Sequence, residues 1–296
     1  MPIPFIRDLD VHYGEPKQVT PNVRRVVARN PSAFTFKGTG TYVVGRGKVA
    51  IVDPGPDMQD HVDAVLNAVR GETVTHILVT HTHVDHSPAT PALKAATGAT
   101  VYAFGGHPKP PPGVTTEQGG DHDFTPDVRL ADGEVVNGAG WTVEAIHTPG
   151  HISNHLCFAL REDNALLSGD HVMGWSTAVI SPPDGNMRSY FESLRKLLPR
   201  GESLYIPTHG AEIREPVPFV QAYIEHRLDR ERQILACLRD GLDTVPAMVA
   251  RMYKDVGAHL HAAAGRSVLA HLIQFAVDGR VLSDGPPTVE ARFRLP

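Results

Sequence analysis

Four side chains able to bind a metal ion fall within six positions in Thr80-His81-Thr82-His83-Val84-Asp85-His86. Imidazole and carboxylate together suit zinc, and with less preference manganese or iron. His81 and His83, two positions apart, can converge on one ion, while Asp85 and His86 can face a second. A polar surface turn is the competing explanation. Turns, however, select Gly, Asn, Asp and Ser for backbone reasons, and turn geometry does not call for three histidines. Three further strings end in the same residue types: His147-Thr148-Pro149-Gly150-His151, Ser168-Gly169-Asp170-His171 and Pro207-Thr208-His209-Gly210. His151 and His209 are candidate ligands, and Asp170 could bridge two ions.

Two divalent ions roughly 3.5–4 Å apart can trap a water and lower its pKa from about 15.7 toward about 7. The expected chemistry is attack of the bridging hydroxide on a carbonyl or phosphoryl centre. Asp85 is the expected catalytic residue, holding its ion and orienting the nucleophile, with proton transfer added where the leaving group is basic. No other nucleophile stands out: there is no G-x-S-x-G elbow, and Cys157 and Cys237 each sit inside an apolar run, as buried free thiols do.

These groups need rigid elements to bring them together. Residues 41–45 and 48–53 flank Arg46-Gly47 and predict paired strands, and residues 76–80 read as a buried strand. Further strands are expected near residues 100–103, 142–147, 155–160, 164–168 and 204–207. Helices are expected over residues 58–69, 88–96 (with Ser87 as N-cap and Pro88 at the first position) and 187–198. Every candidate ligand then follows a strand end, where reactive groups gather in open sheets flanked by helices. Residues 105–127, rich in Pro and Gly, predict a surface excursion at the rim of the site. Beyond His209 the pattern turns helical: a long helix over residues 216–238, a second capped by Thr244, and a third carrying Val268, Leu269, Leu272, Ile273 and Ala276. The tail from Pro286-Pro287 onward is expected to be loosely attached.

The His-x-His-x-Asp-His string, the Thr-Pro-Gly-His turn, the Gly-Asp turn and the late His-Gly together resemble the metallo-β-lactamase-fold superfamily. The resemblance assigns His81, His83 and His151 to one metal and Asp85, His86 and His209 to the other, with Asp170 between them. It covers roughly residues 20–215 and implies an α/β protein with αββα sandwich architecture. Residues 30–39 and the helical tail look like the branch with a C-terminal winged-helix extension, which includes a β-lactamase-like endoribonuclease. The expected organisation is a catalytic domain over residues 1–215 and a small helical, winged-helix-like domain over 216–296. His155, Asn186 and Tyr190 fall where substrate contacts are expected; helix packing is the alternative for Tyr190, and His147 is expected to support a ligand from behind or to make a backbone hydrogen bond.

The chain has 296 residues, seventeen of them histidine, and a formal net charge of -5, which gives no general drive toward nucleic acid or anionic membranes. No export signal or membrane-spanning run is visible, so the expected location is the cytoplasm. The expected activity is binuclear hydrolysis of a small carbonyl compound (a thioester, lactone or related ester or amide), with two zinc ions as cofactors. Single-strand-specific endoribonuclease activity is the alternative the extension implies. From Pro216 onward, however, ten Lys/Arg stand against nine Asp/Glu, without the basic excess of a nucleic-acid binder. A persulfide dioxygenase with a single iron is a third reading of the same string. The extension is expected to pack on the catalytic domain or to support a homodimer.

Overall fold

The computed structural model describes residues 3–109 and 119–296. Seven strands form the first sheet in chain order: β1 (Lys17–Thr20), β2 (Val23–Val27), β3 (Gly40–Val44), β4 (Lys48–Val52), β5 (Thr73–Leu78), β6 (Thr100–Ala103) and β7 (Val128–Arg129). The second sheet contains β8 (Val135–Asn137), β9 (Thr142–His147), β10 (Leu156–Leu160), β11 (Ala165–Gly169) and β12 (Leu204–Pro207), in the order β12-β11-β10-β9-β8. Helices α1 (Gln59–Ala68) and α2 (Thr90–Thr97) belong to the first half of the molecule and α3 (Met187–Leu197) to the second.

The layering follows from the period-2 alternation of side chains along a strand. On β3 and β4, Tyr42, Val44, Ala50 and Val52 point toward the second sheet and pack with Val143, Phe158, Leu167 and Ile206. The alternate residues Val43, Val49 and Ile51 point the other way and meet Val62 and Val65 of α1 and Leu93 of α2. In the second sheet Ile146, Cys157, Ala159, Leu166 and Tyr205 face Met187, Tyr190, Leu194 and Leu197 of α3. Helix, sheet, sheet and helix therefore stack in an αββα sandwich. Strands apolar on both faces are what such a position demands, since neither face meets water.

The chain continues into α4 (Pro216–Arg239), α5 (Val245–Met252), a short 3-10 turn at Ala258–Leu260, and α6 (His261–Val277). It closes with a two-stranded sheet of β13 (Leu282–Ser283) and β14 (Phe293–Arg294). Helix α4 serves two cores. Phe219, Val220, Ala222 and Tyr223 join the packing outside the second sheet, whereas Ile234, Cys237 and Leu238 pack with Met248, Val268, Leu272, Phe275 and Phe293.

Three expectations need correction. Helix α2 begins at Thr90 after Ala89, not at Pro88: the Ser87 hydroxyl donates to Asp121 (2.7 Å) instead of capping, and turn bonds from Gly55 to His86 and from Ala89 to Gly55 hold the intervening backbone. Thr244 precedes α5 as expected but makes no side-chain cap. The tail is not loose. Phe293 is 1% exposed, and its N–H donates to Asp243. In the predicted rim, residues 110–118 lie outside the described residues; among the rest, His107 bonds Thr82 through Nδ1. No helix of the described residues is long and apolar enough to cross a membrane.

A candidate metal centre between the two sheets

The exits of β5, β9, β11 and β12 converge on one basin. Three groups of donor atoms gather there: His81, His83 and His151; His81, His86 and Asp170; and Asp85, His86 and His209. In the first, His83 Nδ1 lies 2.9 Å from His81 Nε2 and 3.1 Å from His151 Nε2. In the third, Asp85 Oδ2 lies 3.3 Å from His86 Nε2 and 3.1 Å from His209 Nε2. Asp170 spans the interval, with one oxygen 3.6 Å from His86 Nε2 and 3.8 Å from His151 Nε2, and the other 3.5 Å from His209 Nε2. A tetrahedral zinc bound at about 2.0–2.1 Å spaces its ligand atoms roughly 3.4 Å apart, and these separations bracket that figure.

The far side of four of the five rings is anchored, which selects the nitrogen that faces inward. His151 Nδ1 bonds the Val179 carbonyl (2.6 Å), His209 Nδ1 the Gly38 carbonyl (3.3 Å), His81 Nδ1 the Thr80 hydroxyl (3.0 Å) and His86 Nδ1 the Asp53 carboxylate (3.0 Å). Asp53 is a hub that the sequence reading passed over. Fully buried at the exit of β4 with φ +51°, it also accepts bonds from the Thr80 N–H (2.8 Å), the Thr80 hydroxyl (2.8 Å) and the Thr208 hydroxyl (3.0 Å). One carboxylate thus ties together the exits of β4, β5 and β12. The available signal was a charged residue directly after an unbroken apolar run, Val49-Ala50-Ile51-Val52-Asp53.

Electrostatics divides the basin. Burial and neighbouring rings hold His81 and His83 well below the usual histidine value, so each keeps a lone pair. Burial also opposes charge on His86 and His209, but there the carboxylates prevail. Asp85 and Asp170 hold His86 well above its usual value, and Asp170 and Asp85 raise His209 to about 10. Despite a burial penalty of their own, both carboxylates are held well below their ordinary range by these two rings. Buried Asp170 and half-buried Asp85, side by side, require positive charge nearby. His86 Nε2 and Asp170 Oδ1 are buried with no hydrogen-bond partner among the described residues, an arrangement that costs free energy unless a cation meets them. The donor set therefore fits metal ions.

Above the donors lies a cavity of about 280 Å³, with His83, Asp85, His151, Asp170 and His209 at its base and Phe34, Met173 and Val179 on its walls. Arg266 of α6 reaches its edge. The three expected substrate contacts are placed elsewhere. His155 is fully buried, pairing through Nδ1 with the Thr148 hydroxyl (2.8 Å) and accepting the Asp170 N–H at Nε2 (3.2 Å), so it braces the backbone of Asp170. Tyr190 is 0% exposed and donates its hydroxyl to the His171 carbonyl, so the packing alternative is the one observed. Asn186 caps α3 by accepting the Ser189 N–H and lines a separate groove. His147 stacks on Phe104 at 4.0 Å and bonds the Ser153 carbonyl, so of its two expected roles the backbone hydrogen bond is the one observed.

The sequence pattern of the metallo-beta-lactamase superfamily matches residues 35–209, and that of the beta-lactamase associated winged helix domain matches residues 244–286. The lactamase-like protein adaB of Aspergillus niger is 29% identical over 95% of this chain and 88% of its own length. The atrochrysone carboxyl ACP thioesterase nsrC of Aspergillus novofumigatus is 32% identical over 81% of this chain and 73% of its own. Among solved structures, a beta-lactamase domain protein from Burkholderia ambifaria superposes with a TM-score of 0.78 at 19% identity, covering 98% of this chain and 96% of that one. A metallo-beta-lactamase family protein from Thermus thermophilus gives 0.74 at 22% identity, over 93% and 99%.

Proposed function

The chain belongs to the metallo-beta-lactamase superfamily, and from that premise we propose that this hydrolase cleaves thioesters at two zinc ions held by His81, His83, Asp85, His86, His151, Asp170 and His209. The observation that carries the reading is the place of Asp170, within reach of donors from both His81-His83-His151 and Asp85-His86-His209. The substrate class is supported by the relative named as a carboxyl ACP thioesterase. We assign catalysis to residues 1–215 and treat residues 216–296 as the appended domain.

When bound, a pair of divalent cations supplies Lewis acidity and lowers the pKa of water to near neutrality. The chain's own residues do the positioning. His81, His83 and His151 are neutral donors, and outer hydrogen bonds to the Thr80 hydroxyl and the Val179 carbonyl fix His81 and His151. Asp85, its side chain 22% exposed at the base of the cavity, is steadied by the Thr39 hydroxyl (3.1 Å). It is the carboxylate able to orient a water toward the substrate carbonyl. A departing thiolate, with a conjugate-acid pKa near 8.5, needs no proton donor, so orientation is the role left to Asp85. Phe34, Met173 and Val179 narrow the approach to the reacting carbonyl.

The test combines metal analysis with turnover on acyl thioesters, lactones, β-lactams and single-stranded RNA. Two zinc ions per chain and thioester hydrolysis are expected, with activity lost in Asp85→Ala and His151→Ala variants that remain folded. One iron per chain with oxygen consumption on glutathione persulfide, or cleavage of RNA in preference to thioesters, would overturn the reading.

A further inference from the structure

The metal cavity does not end at its own walls. Phe34 and Val179 also line a larger groove of about 580 Å³, which runs between the catalytic layers and the C-terminal helices. One side of the groove is Phe5, Phe36 and Trp175, the last two stacked at 4.9 Å and 14°. The opposite side comes from the C-terminal region: Tyr253, Leu260 and Ala263. Phe34 stands on the ridge between the two spaces, 50% exposed. The groove's volume lies within the range of about 300–1,000 Å³ typical of small-molecule sites, and an open apolar cleft of this size is costly unless something fills it.

Of the charged groups along the groove, Arg227 and Arg230 are engaged in building its wall, while Arg7 and Asp255 are exposed and Arg7 lies 5.9 Å from the centre of the Phe5 ring. Buried Arg227 donates to the Ala178 carbonyl and lies 5.3 Å from the centre of the Tyr190 ring. Arg230 sits over the Tyr253 ring at 4.3 Å, with Gln233 and the Met252 carbonyl accepting from its guanidinium. Burial, with both arginines beside it, holds His226 neutral down to about pH 4. Most of what the groove presents is aromatic and aliphatic surface, with Arg7, Thr177 and Asp255 among its polar lining, and this suits an extended apolar acyl group better than the polar amides and phosphate of a pantetheine arm.

Resting on the thioesterase reading, we propose that this groove is the acyl subsite. The large apolar or aromatic acyl portion of the substrate lies between the catalytic domain and α4–α6, and its thioester carbonyl passes Phe34 and Val179 to reach the metal cavity. The appended domain then acts as the second wall of the substrate site.

The experiment measures kcat/KM for 2-naphthoyl and acetyl thioesters of N-acetylcysteamine, and of coenzyme A, on the zinc-loaded full chain. The parent is expected to favour naphthoyl over acetyl at least tenfold with either thiol. Leu260→Trp, which fills the groove, and Phe36→Ala, which removes the stack, should each erase most of that preference while the acetyl rate stays within about twofold. Equal losses on both acyl groups, or a preference that follows the thiol and ignores the acyl group, would overturn the assignment. If the parent hydrolyses no thioester, the functional reading fails separately. The subsite is then judged by calorimetry with 2-naphthamide: binding abolished by Leu260→Trp supports it, and binding unchanged or absent in the parent refutes it.

Discussion

Asp53 contributes no atom to the three donor groups, yet four hydrogen bonds converge on it, one from His86 Nδ1. A ring held this way keeps its tautomer and direction, and such outer partners are typically worth 10–100-fold in metal affinity. Asp53→Ala should therefore weaken zinc binding by about that factor, read by competition with a chromophoric chelator; unchanged affinity would show that His86 orients itself. Near the same strand exit, His61 is 2% exposed and pairs with the Thr41 hydroxyl, and burial pulls its pKa down to about 4. Above pH 6.5 the ring is neutral whether the chain is folded or not, so its contribution is fully present. As the pH falls from 6.5 to 4 only the unfolded chain takes up the proton, which costs about 3 kcal/mol of stability across that window. Urea midpoints measured from pH 7 to pH 4 should fall less steeply in His61→Gln than in the parent; parallel curves would contradict the assignment.

The turn after β9 shows how an element, more than a residue, aims His151, a proposed ligand. Gly150 has φ +135°, a conformation that L side chains rarely adopt, and a Cβ there would lie 2.4 Å from the Cα of Tyr190. Its carbonyl accepts the Asn186 N–H that begins α3. Helix and turn are thus locked together, with His151 the next residue. Gly150→Ala must push the turn off α3 and His151 with it, and the expected outcome is at least a tenfold drop in turnover together with reduced zinc content. A variant with normal activity would mean that the turn can relax without moving its ligand. Helix α4 couples elements in the same way, because its first half completes the packing around α3 while its second half carries the C-terminal core.

That sharing has consequences for the whole molecule. Tyr223 of α4 donates to the Met173 and Ser176 carbonyls beside the metal cavity, so the extension is bonded to the catalytic layers as well as packed on them. Unfolding followed by near-UV and far-UV signals should therefore be a single transition. Two separated transitions would show that the extension melts on its own. At the far end, Phe293 seals the C-terminal core with the hairpin of β13 and β14. Phe293→Ala should cost about 3–5 kcal/mol, the usual range for emptying a buried aromatic site, and lower the melting temperature accordingly. Loss of well under 1 kcal/mol would restore the loosely attached tail that the composition of residues 286–296 suggested.

The sequence alone determined the donor set worth watching and the strands that carry it, because both are local. The His-x-His-x-Asp-His string needs only neighbouring positions, and the apolar runs before it, before His151, before Asp170 and before His209 declare buried strands by composition. The αββα layering was expected from the resemblance that those strings carry, and strands apolar on both faces fit it because they need cover on both sides. Tertiary structure decided what depends on partners distant in the chain. It gave Ser87 to Asp121 and delayed α2, turned Tyr190 and His155 into internal braces, and made Asp53 the tie between three strand exits. It also set the C-terminal helices against the catalytic layers to form the groove. None of these can be read from residue type, because hydrogen-bond capacity and apolar surface are the same wherever a side chain lands, and only the packed chain fixes which partner satisfies them.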